Sequence, residues 1–201
     1  MTFGGFNANG NLTDFVYLVD GNTKQSCLHS NLPVAMKDSH IFEFNNTLLV
    51  CSSDSTKFQC VIWFEEKWTL FSTPEENGLI NFISAVRVPN IGIWFMDGKN
   101  GASLILKDKG EWVTAPEWTH KRTKACSIMI SNTKVAHIGG QKSKNSAIIG
   151  NTIDIFDFSN TTSPVESINI TQMAYKRKQF SCALIQNGQD GNPTVAICKF
   201  F

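Results

Sequence analysis

The sequence contains few charged residues, no long apolar run and no signal for export at its start. Of its 201 residues, 17% are charged and 42% are hydrophobic, and the net charge is +1. This balance excludes a disordered, solvating chain and gives no reason to expect nucleic acid as a partner. No apolar stretch reaches the ~18 residues that a membrane span needs. The first residues, Met-Thr-Phe-Gly-Gly-Phe-Asn, lack the basic start and apolar core of a signal peptide.

Metal-binding spacings are also missing from the sequence. Six cysteines occur, at positions 27, 51, 60, 126, 182 and 198, and none forms a Cys-x-x-Cys pair. The four histidines fall at no metal-ligand spacing, so we expect no zinc site and no cofactor. Cys51 ends one predicted strand and Cys60 begins the next, so a disulfide between them is sterically reasonable, and Cys182 and Cys198 could pair likewise. The alternative is that these cysteines are small buried apolar residues, and the other two have no predicted partner.

Short apolar runs cut by Gly, Asn, Asp and Pro dominate the chain. β-branched and aromatic residues fill these runs, and hardly any segment has the i, i+3, i+4 spacing of a helix. Such dense short strands predict an all-β sandwich, barrel or propeller. The predicted strands are residues 15–19, 47–51, 60–64, 67–71, 82–86, 91–95, 103–106, 126–130, 134–138, 152–156, 180–185 and 194–198.

One strand ending recurs along the chain. It is seen in Met1–Gly5, Leu49–Ser53, Trp94–Gly98 and Ala136–Gly140, whose last residues are 48, 45 and 42 apart, and again 60 residues later in Val195–Phe200. Loop insertions near residues 160–164 and 187–193 account for the last, longer interval. A loose period of this length is typical of propeller blades with variable outer loops.

The recurring pattern resembles the kelch repeat over essentially the whole chain. Gly139-Gly140 is followed by a strand that ends in Phe156-Asp157, as the repeat requires. The glycine pair recurs at Gly4-Gly5 and is replaced by Ser52-Ser53 and Asp97-Gly98 in the other units. The tyrosine–aspartate pair of the repeat appears as Val19-Asp20 and Phe156-Asp157, and Trp68 and Trp112 keep the same phase. The segment Ser26–Pro33, with Cys51 and Cys60, is similar to a cysteine-bearing kelch variety of secreted invertebrate proteins.

The resemblance implies a β-propeller fragment of four-stranded antiparallel blades, about four blades being present. It divides the chain into a partial first blade (1–33), three complete blades (34–75, 79–117 and 122–170) and a partial last blade (171–201). Because kelch propellers usually close with more blades, we expect a piece of a longer product. The structural repeat residues are Gly4, Gly5, Gly98, Gly139, Gly140, Trp68 and Trp112. Their expected roles are tight backbone approach with positive φ for the glycines and packing between blades for the tryptophans.

The implied function is that of a non-catalytic scaffold which binds an unidentified protein partner through loops at one mouth of the propeller. Aromatic and arginine side chains are favoured anchors for protein partners. Two clusters beside predicted inner strands offer them, and the candidate partner-binding residues are Trp118, His120, Lys121, Arg122, Tyr175 and Arg177.

Two other functions remain open at this point. The first is the substrate-recognition propeller of an intracellular ubiquitin-ligase adaptor. The second is a copper oxidase of the galactose-oxidase type, although Tyr17 and Tyr175 lie at no plausible site with a histidine. No Ser-His-Asp arrangement has supporting context, and the pairs Glu65-Glu66 and Glu75-Glu76 have the character of turn charges, so we predict no enzyme.

The cellular location is predicted from three weak indications. Four Asn-x-Ser/Thr sequons occur, at Asn11, Asn45, Asn160 and Asn169. The cysteines and the resemblance to secreted kelch proteins point the same way, since disulfides persist in oxidising compartments. The sequence therefore favours an extracellular location, with the cytoplasm as the alternative.

Overall fold

Seventeen β-strands and no helix make up the part of the chain that the computed structural model describes, namely residues 1–53, 57–74, 82–97, 101–115, 121–141, 151–159, 165–173, 181–186 and 193–198. The predicted all-β class is confirmed. The strands are β1 (Thr2–Phe6), β2 (Leu12–Val19), β3 (Ser26–Asn31), β4 (His40–Phe44), β5 (Thr47–Ser53), β6 (Phe58–Phe64), β7 (Lys67–Phe71), β8 (Phe82–Val88), β9 (Gly92–Asp97), β10 (Ser103–Leu106), β11 (Trp112–Ala115), β12 (Cys126–Met129), β13 (Lys134–Ile138), β14 (Thr152–Asp157), β15 (Val165–Gln172), β16 (Ser181–Gln186) and β17 (Pro193–Cys198).

The strands form five antiparallel sheets in chain order. Sheet 1 is β1-β2-β3, sheet 2 is β4 to β7, sheet 3 is β8 to β11, sheet 4 is β12 to β15, and sheet 5 is the hairpin β16-β17. Within each sheet every strand pairs with its neighbours in sequence, so each sheet is a meander. The chain divides into two compact units, residues 1–75 with sheets 1 and 2, and residues 76–201 with sheets 3 to 5.

Two hairpins of sheet 2 are closed by two-residue turns in which both residues have positive φ. Asn45 and Asn46 join β4 to β5 with φ of 51° and 59°, and Glu65 and Glu66 join β6 to β7 with φ of 49° and 59°. Positive φ at both central residues is the geometry of a type I′ turn, whose twist matches that of the flanking strands. The glutamate pair therefore forms a turn, as the sequence indicates.

The core of the first unit lies between the facing sides of sheets 1 and 2. Val16 and Phe3 of sheet 1 pack with Val50 and Trp68 of sheet 2. The ring centroids of Phe3 and Trp68 are 5.5 Å apart, and the indole N–H of Trp68 donates a hydrogen bond to Ser30 Oγ at 3.1 Å. Burying an aromatic side chain of this size is worth about 1.5–3 kcal/mol. Trp68 thus packs between two sheets.

The core of the second unit lies between sheets 3 and 4. The ring of Trp94, from β9, contacts Phe156 of β14 at 4.9 Å and Phe158 at 5.1 Å between centroids. Val86 and Val135 complete this contact from the two sheets. The half-buried ring of Trp112 packs on Phe95 of the same sheet, with 5.3 Å between centroids.

Both intact glycine pairs have backbone conformations that other residues rarely adopt. The φ values are 58° and 108° for Gly4 and Gly5, and 62° and 89° for Gly139 and Gly140. A Cβ atom on Gly4 would lie 2.2 Å from the carbonyl oxygen of Met36, which precedes β4. One on Gly140 would lie 2.8 Å from the carbonyl oxygen of Thr123, which precedes β12. Each pair therefore allows close approach of the segment that leads into a sheet's first strand. Gly98 lies outside the described residues.

Two aspartates end strands in the same manner. Asp20 follows β2, and its carboxylate accepts hydrogen bonds from the backbone N–H groups of Asn22 and Thr23. Asp157 is the last residue of β14, and its carboxylate accepts one from the N–H of Ser159 at 2.9 Å. These backbone hydrogen bonds lower the pKa of both carboxyl groups. The aspartate of the pairs Val19-Asp20 and Phe156-Asp157 thus terminates the strand with a local turn.

One predicted disulfide is present. Cys51 and Cys60 are directly opposite each other on β5 and β6, and they are joined, with 4.1 Å between their Cα atoms. Both side chains are fully buried.

The second disulfide corrects the sequence-based pairing. Cys182 is joined to Cys126, not to Cys198, so the bridge runs from β16 to β12. The register of the last hairpin explains the correction: Cys182 is opposite Ile197 and Cys198 is opposite Ser181, so the two cysteines do not face each other. Cys27 is exposed and carries a free thiol.

We predict that Gly4→Ala destabilises the chain by about 2–4 kcal/mol, because alanine at positive φ is strained and its methyl group would meet the Met36 carbonyl. Urea unfolding followed by tryptophan fluorescence measures the change. Gly21→Ala is the matched control, since a Cβ there meets nothing within 4 Å and φ is not positive; its effect should stay within about 0.5 kcal/mol. Equal effects of the two substitutions would contradict the close-approach role of Gly4.

Candidate functional site

The structure describes two of the six residues that the sequence assigns to partner binding. Lys121 is exposed. Arg122, next to it, is among the most buried side chains of the chain, with 1% of its surface exposed. Trp118, His120, Tyr175 and Arg177 lie outside the described residues. The prediction that Arg122 belongs to a surface patch is therefore wrong.

Arg122 instead holds two strands of sheet 4 together. Its guanidinium forms a buried ion pair with the carboxylate of Asp154 on β14. It also donates to the carbonyl oxygen of Thr152 at 2.9 Å and to that of His137, on β13, at 3.3 Å. The five N–H donors of a guanidinium suit several acceptors at once. The sequence predicts that the charge of Arg122 is solvated. In the structure it is buried, because these acceptors take the place of water.

Three polar side chains lie side by side across the first three strands of the same sheet. Ser127 of β12 is opposite His137 of β13, which is opposite Asp154 of β14. The hydroxyl of Ser127 and Nδ1 of His137 are 2.7 Å apart, a hydrogen-bond distance. His137 and Asp154 are buried and Ser127 is half-buried. We call Arg122, Ser127, His137 and Asp154 the polar row.

The polar row keeps His137 in its neutral form. Burial lowers the pKa of His137 well below its usual value, and the positive charge of Arg122 lowers it further. A neutral imidazole can either accept a hydrogen bond at Nδ1 from Ser127 or donate one to it, depending on the tautomer. The single cation of the row is therefore Arg122, balanced by Asp154.

The row contains the residue types of a catalytic triad but not its arrangement. In a triad the acid orients the histidine and the serine reaches the substrate. Here the carboxylate of Asp154 receives the guanidinium of Arg122, and His137 has no exposed surface through which a substrate could approach. The arrangement suits a structural role, in which each buried polar group supports the others.

One signal in the sequence indicates this row. His137 and Asp154 are each the one polar residue among the buried positions of their strands. A lone ionisable residue in such a strand must either face solvent or find a buried partner. Arg122, the basic residue just before the sheet, is that partner for Asp154.

The outer face of sheet 1, which carries Phe15, Tyr17, Val19 and Leu28, is apolar and partly exposed. Tyr17 packs on Phe15 with 6.1 Å between ring centroids, and Leu28 lies opposite Tyr17 in the register. Leu28 is 55% exposed and Val19, two residues from Tyr17, is 48% exposed. In the described part of the chain, the exposed large hydrophobic side chains are Met1, Phe6, Leu12, Tyr17, Val19, Leu28, Ile41, Phe64 and Leu70.

The described ranges contain neither a metal centre nor a membrane-spanning helix. No group of three or more His, Cys, Asp or Glu side chains there could hold a metal ion. Likewise, those ranges contain no helix with the length and hydropathy needed to cross a bilayer.

Comparison with known proteins adds no family assignment. No model of a known protein family matches the chain, and no curated protein sequence matches it.

We predict that the stability of the wild-type chain falls as the pH is lowered from about 6.5 to 4.5. Because the folded-state pKa of His137 lies below its unfolded-state value of about 6.5, the unfolded chain binds a proton that the folded chain excludes. The loss approaches about 1.4 kcal/mol per pH unit at most. His137→Asn keeps a polar group beside Ser127 and should remove this part of the pH dependence.

Urea unfolding at a series of pH values measures this effect, and the exposed residue His29 supplies the control His29→Asn. The control should keep the slope of the wild-type chain. If His137→Asn also keeps that slope, His137 is not the group whose protonation opposes folding.

Proposed function

We propose that this chain is a non-catalytic protein-interaction scaffold whose sheets are the blades of a kelch-like β-propeller. The observation that carries the proposal is the repetition of one connectivity, since three successive sheets each run as a four-stranded antiparallel meander. Propellers are built by repeating such sheets around an axis. Each sheet lies in the part of the chain that the kelch pattern assigns to one blade, apart from the last two residues of β15.

Details of the repeat support the proposal because similar local features recur along the chain. Gly4-Gly5 and Gly139-Gly140 both have positive φ, and each pair allows close approach of a segment that leads into a first strand, that of the next sheet for Gly4 and that of its own sheet for Gly140. Asp20 and Asp157 both end a strand with a side-chain-to-backbone turn. We do not expect unrelated sheets to share both the glycine pairs and the aspartate turns.

The burial of central strands also fits blades, which pack on both faces. Adjacent strand residues point to opposite faces of a sheet. Val50 and Cys51 of β5 have no exposed surface, and neither do Phe95 and Met96 of β9. Both faces of these two central strands are therefore covered. The outer face of sheet 1 is also apolar, although Leu28 on it is about half exposed.

The polar row supports binding rather than catalysis. Its histidine and aspartate are buried, so its chemistry serves the sheet and not a substrate. By holding the backbone ahead of β12, Arg122 fixes the position of the exposed residue Lys121. We propose that Lys121 belongs to the partner surface together with Trp118, His120, Tyr175 and Arg177, and that Arg122 supports it from below.

An extracellular location is part of the proposal. The described residues include two disulfides, one of them fully buried. Disulfides form and persist in oxidising compartments, which supports an extracellular location.

Partner capture with matched variants tests the proposal. The wild-type chain is used to retain proteins from an extract of its source, the retained protein is identified by mass spectrometry, and its affinity for each purified variant is measured by calorimetry. Lys121→Glu and Tyr175→Ala should each weaken binding by about tenfold or more, as expected for contact residues. Lys109→Glu, a charge reversal at an exposed turn, should bind as the wild type does.

Two results would contradict the proposal in different ways. Equal affinity of all variants, at unchanged melting temperature, would place the contact surface elsewhere. Failure to retain any partner in stoichiometric amount would remove the scaffold function itself.

A further inference from the structure

We propose that the Cys126–Cys182 disulfide is a redox-sensitive latch, which holds the hairpin β16-β17 against sheet 4 and releases it when reduced. The inference rests on the two disulfides and the strand pairing, and it does not depend on the proposed scaffold function.

The two disulfides impose different constraints. Cys51 and Cys60 are opposite residues of neighbouring strands in one sheet, with 9 residues of sequence separation. The hydrogen-bonded ladder already holds those strands together, so that bridge adds little new constraint. Cys126 and Cys182 join two different sheets across 56 residues of sequence. A bridge that closes the longer loop removes more freedom from the opened chain.

The bridge lies where the hairpin contacts sheet 4. Among the described residues, β16 and β17 pair only with each other. A two-stranded hairpin is at best marginally stable in water without packing against another element. Strand β16 contacts β12, and the disulfide joins the first residue of β12 to the second residue of β16. The covalent link therefore lies within the contact that it stabilises.

The two bridges also differ in their access to a reductant. Cys51 and Cys60 are fully buried, whereas Cys126 and Cys182 are both half-buried. Reduction requires a thiolate to reach a sulfur atom of the disulfide. A dissolved thiol should therefore reach Cys126–Cys182 first.

The reaction is thiol–disulfide exchange with a dithiol reductant. One thiolate of the reductant attacks one sulfur of the bridge, forming a mixed disulfide and releasing the other cysteine as a thiolate, which takes up a proton. The second thiolate of the reductant then attacks the mixed disulfide. The products are two cysteine thiols and the oxidised, cyclic disulfide of the reductant, so two electrons pass from reductant to protein.

Release of the hairpin leaves the contact between sheets 3 and 4 in place. That contact is made by Trp94, Phe156 and Phe158, none of which belongs to the hairpin. We therefore expect a local opening of β16 and β17 rather than unfolding of the whole unit.

Graded reduction of the purified chain with dithiothreitol tests the latch. After each step the free thiols are blocked with iodoacetamide and mapped by mass spectrometry, and hydrogen exchange is measured on the same samples. Cys126 and Cys182 should become alkylated at concentrations that leave Cys51–Cys60 intact. In those samples the amides of β16 and β17 should exchange at least about tenfold faster, and those of β13 and β14 should not change.

Two variants separate the latch from a general loss of stability. Cys126→Ser/Cys182→Ser should show fast exchange in β16 and β17 without reductant and no further response to it. Cys51→Ala/Cys60→Ala should keep the response of the wild type. If the first variant does not fold, the titration of the wild-type chain still decides. Reduction of Cys51–Cys60 first, or unchanged exchange in the hairpin after Cys126–Cys182 opens, would overturn the proposal.

Discussion

The structure depends on one constraint, which is that a short antiparallel sheet cannot be stable while its apolar faces meet water. Sheets 2, 3 and 4 have only four strands each, and each gains stability by packing on another sheet. In the first unit Trp68 and Val50 cover the face of Val16, and in the second Trp94 covers the face of Phe156. The positive-φ turns keep the strands short, and Gly4 lets the segment before sheet 2 approach sheet 1 closely.

The polar row is a group of buried polar side chains, and it shows how the chain tolerates buried charge. An ion pair away from water is costly unless its geometry is good and its remaining donors are satisfied. The carboxylate of Asp154 and two backbone carbonyl oxygens offset this cost for Arg122. The row spans the first three strands of sheet 4, because Ser127, His137 and Asp154 lie opposite one another in the register.

The sequence predicted the fold class and the centres of most strands because alternation and turn residues are local signals. The predicted strands do not include β3, β4, β11 or β15. In β3, for example, Ser26–Asn31 is mostly polar and has no apolar alternation. It also misplaced two long-range features. The exposure of Arg122 and the partner of Cys182 both depend on which strands become neighbours in three dimensions. Only the strand register decides those, and no local pattern contains it.

The most direct test of the central constraint is a double-mutant cycle between Trp94 and Phe156, whose ring centroids are 4.9 Å apart on different sheets. Replacing each with leucine, singly and together, removes the ring contact and keeps an apolar side chain. Urea unfolding should give a coupling free energy of about 0.5–1.5 kcal/mol, as found for aromatic pairs in contact. Strictly additive effects of the two substitutions would contradict the account, because sheets 3 and 4 would then not cover each other through this contact.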